Sequence, residues 1–305
     1  MLVYRGEAPD AAADPGIDAL SGCLSFPIAY GYAAVGTVVA VGSSVDPDWI
    51  GTRVFSFQPH TSHFTAPVDR VVPLPSAVSF ADGALIPSVE TAVTLLMDAR
   101  PMIGERVVVF GQGIIGLLVT QFLHSYPLSG LYTVEPVASR RRASESAGAT
   151  KSFAPDAVGG ELASRLDVTQ SDAADAGDGP YEGADLVLET SGRPEALDAA
   201  VSIAGFDARI IVGSWYGTKT ADLDLGGRFH RSRISIRSSQ VSTLSPDVRG
   251  RWNTDRRLDT VLDLLEELEP GRLITDEYPP SEAPSLYRRL DQEGGALLQP
   301  VFRYD

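Results

Sequence analysis

The pattern of apolar and polar positions divides the chain into two kinds of sequence. From residue 28 to residue 75, short apolar runs alternate with glycine, proline and aspartate, as is typical of strands joined by turns. We predict strands over residues 36–42, 52–57 and 68–72 in this part, and strands at such spacing favour a small barrel. The 22 residues at the start are polar and alanine-rich, and they show no firm periodicity.

Further along, strands and helices alternate. Residues 107–110 predict a strand buried on both faces, the run 114–123 predicts the helix after it, and residues 88–96 predict a helix before it. The later predicted elements are strands 131–135, 150–153, 184–189, 208–213 and 233–236, helices 139–147, 194–204, 258–268 and 283–290, and two strands near the end, 273–278 and 297–304. Such alternation predicts an α/β fold, a doubly wound parallel sheet with helices on both faces.

Three glycines between the buried strand and its helix have a spacing with chemical meaning. Gly111, Gly113 and Gly116 follow the Gly-x-Gly-x-x-Gly pattern. In such a turn the first glycine permits the tight bend, the second lets the backbone approach a pyrophosphate, and the third lets helix and strand pack closely. The strand over residues 131–135 ends in Glu135, where a dinucleotide site needs an acceptor for the ribose hydroxyls. The alternative is a structural turn followed by an unrelated surface glutamate.

The strand ends nominate further residues that contact the cofactor, because ligands of such sheets bind at the carboxyl ends of the strands. Glu135 favours NAD, since a carboxylate repels the 2′-phosphate of NADP. Arg140 and the two arginines after it could instead bind that phosphate, so NADP stays possible; otherwise they form a solvated helix face. The expected cofactor-binding residues are Gly111, Gln112, Gly113, Ile114, Ile115, Gly116, Glu135, Arg140, Thr190, Ser191, Gly213, Ser214 and Ser239.

Composition narrows the class of protein. The 305 residues carry a formal net charge of −15, with Lys151 and Lys219 as the only lysines. This disfavours nucleic-acid binding, which needs a basic surface, and it suits a salt-adapted cytoplasm. No apolar run is long enough to span a membrane, and we expect a cytoplasmic protein acting on a small molecule. A single cysteine, Cys23, excludes an internal disulfide framework and a four-cysteine zinc lobe.

Four segments carry a resemblance to a known family: GYAAVGTVVAVG (31–42), IGTRVF (50–55), GQGIIG (111–116) and ADLVLETSG (184–192). With them the chain resembles the medium-chain dehydrogenase/reductase superfamily, which includes the alcohol dehydrogenases. The resemblance implies a GroES-like substrate domain over 1–94 and 273–305, a Rossmann domain over 95–272, and a homodimer. VYRGEAP (3–9) and VETA (89–92) are similar to the zinc-free branch that includes bacteriochlorophyllide a dehydrogenase.

Two departures from the family pattern affect these expectations. Members of the superfamily carry further strands before the position of Leu2, so we expect a truncated start. Zinc members have Gly-His-Glu where this chain has Gly31-Tyr32-Ala33, and they have a cysteine or glutamate ligand where it has Pro87. Cys23 does not match the motif of the first ligand. Because catalytic zinc needs three protein ligands, the resemblance implies no zinc and no metal site.

Candidate catalytic residues are few. Tyr32, at the position of a zinc ligand in the resembling family, could polarise a substrate carbonyl, or it could be a packed aromatic. His60 and His63 could donate or relay a proton; a metal site or an ordinary loop role are the alternatives. Glu90 could orient a histidine or the cofactor, or it could compensate the helix dipole. The resemblance also implies that Thr91 lies near the nicotinamide.

Together these features predict a zinc-independent NAD(P)-dependent oxidoreductase that transfers a hydride between nicotinamide and a small alcohol or carbonyl compound. One alternative is a redox sensor that binds the dinucleotide without catalysis. A second is an S-adenosylmethionine-dependent methyltransferase, which uses a similar glycine-rich turn, although the strand-rich regions at both ends of the chain argue against it.

Overall fold

The computed structural model describes residues 1–9, 22, 24, 26–168, 182–293, 295 and 297–304. The chain forms two compact units: unit 1 comprises Met1–Glu90 and Arg251–Asp305, and unit 2 comprises Thr91–Gly250. Cys23 and most of the acidic, glycine-rich loop between residues 167 and 183 lie outside the described residues.

The first part of unit 1 contains short elements joined by turns. They are helix α1 (Leu2–Arg5), strands β1 (Ala34–Thr37), β2 (Arg53–Ser56) and β3 (Val72–Pro73), helix α2 (Phe80–Ala84), and the start of helix α3 (Ile86–Ala99). The three strands form an antiparallel sheet in the order β1-β2-β3. Residues 68–70, predicted to be strand, instead form a 3₁₀ turn after Pro67. The four-residue helix α1 is too short to have produced a periodic signal.

Unit 2 has the alternation that the sequence predicts. After the end of α3, its elements are β4 (Arg106–Phe110), α4 (Ile114–His124), β5 (Gly130–Val134), α5 (Ala138–Ser146), β6 (Lys151–Phe153), α6 (Ala163–Arg165), β7 (Ala184–Glu189), α7 (Pro194–Ile203), β8 (Ala204–Val212) and β9 (Ser235–Ser238). All six strands are parallel and lie in the order β6-β5-β4-β7-β8-β9.

This strand order is that of a doubly wound Rossmann sheet, in which the direction of winding reverses between β4 and β7. The α/β fold class predicted from the sequence is therefore confirmed. Val107, Val108 and Val109 of β4 are fully buried, as a strand covered by helices on both faces requires. The carboxyl edge of β4 and β7 is where such sheets bind their ligands.

The last part of the chain returns to unit 1. It contains α8 (Thr254–Leu268), β10 (Asp276–Tyr278), α9 (Ala283–Gln292) and β11 (Pro300–Phe302), and β10 and β11 pair in parallel. The predicted boundaries placed α8 in the dinucleotide domain, whereas the structure groups it with unit 1. A buried ion pair connects α8 to the first part of unit 1, with the Arg257 guanidinium 3.0 Å from the Glu90 carboxylate. Among the described helices, none combines the length and apolar character that a membrane crossing needs.

Candidate functional site

The glycine turn after β4 is held by close packing at its first and third glycines. Gly111 has φ of +84°, and a Cβ on it would lie 2.6 Å from the Cα of Ser191. A Cβ on Gly116 would lie 1.9 Å from the carbonyl oxygen of Gly111. Both distances are shorter than any real Cβ contact, so the fold itself requires glycine at these two positions.

Gly113 differs from the other two glycines. Its backbone is extended, at φ −75° and ψ −168°, and a Cβ there would meet no atom of the described residues within 4 Å. Nothing in the packing or the backbone conformation therefore demands glycine at this position. Gly113 precedes α4, and Ile114 and Ile115 of its first turn are half-buried. Open space thus lies over a helix N-terminus whose N–H groups favour an anion.

Glu135 is not a surface residue. It follows β5 and is only 3% exposed. Its Oε2 accepts a hydrogen bond of 2.8 Å from the backbone N–H of Gln112, and its Oε1 accepts one of 3.0 Å from the N–H of Val137. A carboxylate offers about four lone-pair positions, so two acceptor positions remain after these bonds. The carboxylate therefore connects the glycine turn to the end of β5 and keeps capacity to accept from a ligand.

Gln112 completes the turn from inside the protein. Its side chain is fully buried and donates 3.0 Å to the carbonyl oxygen of Gly111, while its Oε1 accepts 3.1 Å from the Thr120 hydroxyl. Arg140 lies half-buried in the first turn of α5. The neighbouring Arg141 donates to the carbonyl oxygens of Glu135 and Pro136, so that guanidinium is bound to its own loop.

The loops after β7, β8 and β9 contain the remaining predicted contacts. Thr190 donates 2.8 Å to the carbonyl oxygen of Phe110, which joins this loop to the glycine turn. Ser214 accepts 2.8 Å from the N–H of Gly192, and Gly213 donates 2.9 Å to the carbonyl oxygen of Glu189. These bonds bring the glycine turn and the loops after β7 and β8 together at one edge of the sheet.

Ser239 and Thr91 also belong to unit 2, but their contacts differ from those of the loops after β7 and β8. The Ser239 hydroxyl donates 2.7 Å to the buried carboxylate of Asp98, and its N–H bonds the carbonyl oxygen of Val212. The hydroxyl of Ser239 therefore interacts with the protein itself. Thr91 is a half-buried residue on α3.

Sequence reasoning missed one pair at this edge. Glu189, the last residue of β7, is fully buried, and its Oε2 accepts a 2.6 Å hydrogen bond from the hydroxyl of Tyr216. Burial, and then the bond to Glu189, raise the pKa of Tyr216 well above its usual range. The available signal was the acidic residue that ends a strand directly after the apolar run Leu186–Leu188, since a buried carboxylate must find donors.

The two candidate histidines of unit 1 have different surroundings. The His60 Nε2 lies 3.4 Å from the hydroxyl of Tyr287, and the His60 ring meets that of Phe302 edge-on at 4.8 Å. These contacts withdraw part of the ring from water, and burial lowers the pKa of His60. His63 is exposed. Tyr32 is 45% exposed, and burial of its hydroxyl raises the pKa of that group.

The His60 and Tyr287 pair lies on an aromatic cavity of unit 1 with a volume of about 430 Å³. The lining residues are Ile28, Ala29, Tyr30, His60, Pro280, Ala283, Tyr287, Phe302 and Tyr304. Burial raises the pKa of the Tyr30, Tyr287 and Tyr304 hydroxyls, so they stay protonated at neutral pH. The cavity therefore offers neutral hydrogen-bonding groups on an aromatic wall.

The Glu90 carboxylate forms a buried ion pair with Arg257. Glu90 is the fifth residue of α3, so it does not compensate the dipole of the first turn. Its Oε1 accepts bonds of 3.0 and 3.2 Å from Arg257, and both side chains are buried. Burial raises the pKa of Glu90, and the charge of Arg257 opposes that effect.

No group of three or more histidine, cysteine, aspartate or glutamate side chains in the described part of the chain is arranged to hold a metal ion.

Comparison with known proteins gives relatives of one type. No family model matches the chain. It is 24% identical over 241 residues to D-guloside 3-dehydrogenase of Escherichia coli K12, an alignment that spans 77% of this chain but only 65% of the relative. It is 25% identical over 296 residues to (R,R)-butanediol dehydrogenase of Bacillus subtilis, covering 82% of this chain and 79% of that one.

Solved structures share the fold. A short chain alcohol dehydrogenase from Escherichia coli CFT073, complexed with NADH, superposes with a TM-score of 0.69 at 16% identity, covering 95% of this chain and 88% of that one. Zinc dependent alcohol dehydrogenase 2 from Streptococcus pneumonia gives a TM-score of 0.72 at 17% identity, covering 97% and 89%. The relatives and structural neighbours of this chain are therefore alcohol dehydrogenase-like dehydrogenases, and it has their Rossmann-type fold.

Proposed function

We propose that this chain is an NAD(P)-dependent oxidoreductase that transfers a hydride between nicotinamide and a small alcohol or carbonyl compound. The observation that carries the proposal is Gly113, a glycine that neither the packing nor the backbone of the protein demands. Glycine at this point of the turn serves the approach of a pyrophosphate to the backbone. The relatives, named for D-guloside and butanediol, support a small polyol or alcohol as the substrate class.

The residues at the carboxyl edge of unit 2 fit a dinucleotide. The N–H groups of Ile114 and Ile115 would receive the pyrophosphate, and Glu135 would accept from the ribose hydroxyls with its remaining lone pairs. Thr190, Ser191, Gly213 and Ser214 would border the second mononucleotide. When bound, the nicotinamide accepts or donates the hydride, and the protein orients the ring and excludes water.

We infer a preference for NAD over NADP from Glu135. The test is a fluorescence titration with NADH and NADPH on the wild type and on Glu135→Gln, with the exposed Glu195→Gln as the charge-matched control. Glutamine is preferable to alanine because its amide oxygen still accepts from one of the two backbone N–H groups, those of Gln112 and Val137, that alanine would leave unpaired. We expect tight NADH binding by the wild type, a relaxed preference in Glu135→Gln and no change in the control. If the wild type binds neither nucleotide, the proposal fails.

We propose that the reaction proceeds without zinc. This rests on the side chains present, since Tyr32 and Pro87 stand where the resembling family has ligands. Three protein ligands are the minimum for a catalytic zinc site. Elemental analysis of the protein as isolated, and turnover measured before and after dialysis against a chelator, check this. Stoichiometric zinc together with chelator-sensitive turnover would refute it.

The proton step is assigned to unit 1. A hydride transfer that forms or consumes an alcohol must also move one proton, and His60 is neutral at pH 7 because its pKa is lowered. We propose His60 as the proton relay, with Tyr32 polarising the substrate oxygen. The pH profile of turnover for His60→Gln, with the exposed His63→Gln as control, tests the relay. Loss of the acidic limb of the pH profile in His60→Gln, but not in His63→Gln, supports the relay.

Cofactor binding with no turnover on alcohols, aldehydes and quinones would favour a redox sensor instead.

The remaining expectations concern the state of the protein in the cell. We propose a salt-adapted cytoplasmic homodimer, on the basis of the net charge of −15 and of β9, which pairs with no strand beyond β8 among the residues that the structure describes. Light scattering in molar KCl and in dilute buffer measures the oligomeric state. A monomer under both conditions would contradict the dimer.

A further inference from the structure

The fully buried carboxylate of Glu189 lies at the reversal point of the sheet. In the register of β4 and β7 it is paired with Phe110, the residue before the glycine turn. Its Oε1 accepts from the backbone N–H of Ser191 at 2.7 Å and also from the Ser191 hydroxyl. Its Oε2 accepts from the Tyr216 hydroxyl at 2.6 Å. Since the carboxylate has no exposed surface, it does not itself meet a ligand.

These hydrogen bonds join two loops. Ser191 belongs to the loop after β7, and Tyr216 belongs to the loop after β8. Two further bonds connect the same loops: the Gly192 N–H donates 2.8 Å to the Ser214 hydroxyl, and the Lys219 ammonium donates 3.4 Å to the carbonyl oxygen of Gly192. Glu189 and Tyr216 supply the buried part of this connection.

The strand order assigns the two loops to one half of the sheet. A doubly wound sheet consists of two mononucleotide-binding halves, which meet where the strand order reverses. The glycine turn and Glu135 belong to the half formed by β4, β5 and β6. The loops joined by Glu189 follow β7 and β8, so they belong to the second half.

We propose that the Tyr216–Glu189 hydrogen bond positions the loops of the second mononucleotide subsite, so that affinity for a complete dinucleotide depends on it while affinity for ADP does not. The inference rests on the proposed function, because it requires that unit 2 binds a dinucleotide. Neither residue is catalytic; both act through the loops that they hold.

The physical basis is the cost of an unpaired buried acceptor. In Tyr216→Phe the Oε2 of Glu189 loses its donor, and a buried carboxylate oxygen must then find water or another donor. We expect water to reach this oxygen by a separation of the two loops, which would remove the arrangement that the second mononucleotide needs. The raised pKa of Tyr216 keeps its hydroxyl protonated and donating at neutral and mildly alkaline pH.

The experiment is calorimetric titration of NADH and of ADP into the full chain. The variants are Tyr216→Phe and Glu189→Gln, with Tyr126→Phe, a 40% exposed tyrosine of the same unit, as the matched control. We expect Tyr216→Phe to weaken NADH binding about tenfold, which is ~1.4 kcal/mol, and to change ADP binding less than about twofold. Glu189→Gln should stay close to wild type, because its amide can donate to the Tyr216 oxygen.

Each outcome decides the inference. Unchanged NADH affinity in Tyr216→Phe overturns it, as does an equal loss for NADH and ADP, which indicates general damage to unit 2. A wild type that binds neither compound refutes the proposed function, and this inference with it. If Tyr216→Phe does not fold, Glu189→Leu removes the same hydrogen bond from its other partner and provides the comparison. An unchanged ratio of NADH to ADP affinity there also overturns the inference.

Discussion

Alanine substitution at each glycine of one turn should separate what the fold needs from what a ligand needs. At Gly113 an added Cβ has no neighbour within 4 Å in the described part of the chain, and φ of −75° suits any residue. Alanine reduces the freedom of the unfolded chain, which stabilises by ~0.4–1 kcal/mol. It is also a poorer helix N-cap than glycine, which costs a comparable amount. The net change in the free energy of unfolding for Gly113→Ala should therefore be close to zero.

At Gly116 and Gly111 the same substitution should be costly. A Cβ on Gly116 would lie 1.9 Å from the carbonyl oxygen of Gly111, and this backbone group cannot move without displacing the turn. Overpacking of this kind costs ~1–3 kcal/mol or more. Gly111 adds a left-handed backbone at φ +84°, which costs an L-residue another ~1–2 kcal/mol. A destabilisation of ~2 kcal/mol lowers the midpoint of a unit of this size by about 4–8 °C.

Two measurements on the three variants provide the test. Thermal unfolding should leave Gly113→Ala within about 2 °C of wild type and should lower the midpoint of the other two. Titration with NADH should show a loss of at least about tenfold in affinity for Gly113→Ala, because its methyl group occupies the path of the pyrophosphate to the backbone. Wild-type NADH affinity in a stable Gly113→Ala protein would refute the reasoning, since the open space would then serve no dinucleotide.

Three further outcomes follow from charges and burial. Arg257→Met should destabilise the protein by ~3 kcal/mol at pH 7, because Glu90 is then buried without this cation. Since the pKa of Glu90 is raised, the carboxyl group takes up a proton as the pH falls, and part of the lost stability should return. Urea unfolding midpoints of the variant at pH 7 and at pH 5 measure this recovery. Burial lowers the pKa of His60, so its contribution to the free energy of unfolding is present above pH ~6.5 and is lost as the pH falls. The wild type should therefore lose more stability than His60→Gln between pH 7 and 5. With a net charge of −15, the thermal midpoint should rise in molar KCl, and equal stability without salt would contradict salt adaptation.

The sequence was sufficient for those features that depend on local pattern. The apolar run before Gly111 and the glycine spacing predicted β4, its turn and α4, because strand, turn and helix follow one another directly in the chain. The acidic residue at the end of β5 was also found from its distance along the sequence. The boundary between α7 and β8 was predicted less well: β8 begins at Ala204, directly after the helix, with no glycine or proline before it.

The sequence could not reveal pairs that form only when distant segments meet. Glu90 and Arg257 are 167 residues apart, and neither the helix pattern of α3 nor that of α8 indicates that a charge on one faces the other. The partner of Glu189 is 27 residues away, in a loop without periodicity. Each pair joins a buried carboxylate to a hydrogen-bond donor. The apolar residues beside the acid in the sequence indicate that it is buried, but they do not indicate which distant residue is its donor.

The two strand-end carboxylates, Glu135 and Glu189, show why residue type and position alone do not assign a role. Both end parallel strands at the same edge of one sheet. Glu135 accepts two backbone N–H bonds and keeps lone pairs for a ribose, whereas Glu189 accepts three bonds from the loops around it and is fully buried. Glutamine should therefore relax the preference between NADH and NADPH at position 135 and leave it unchanged at position 189. An equal effect of the two substitutions on the ratio of NADH to NADPH affinity would refute the division of roles.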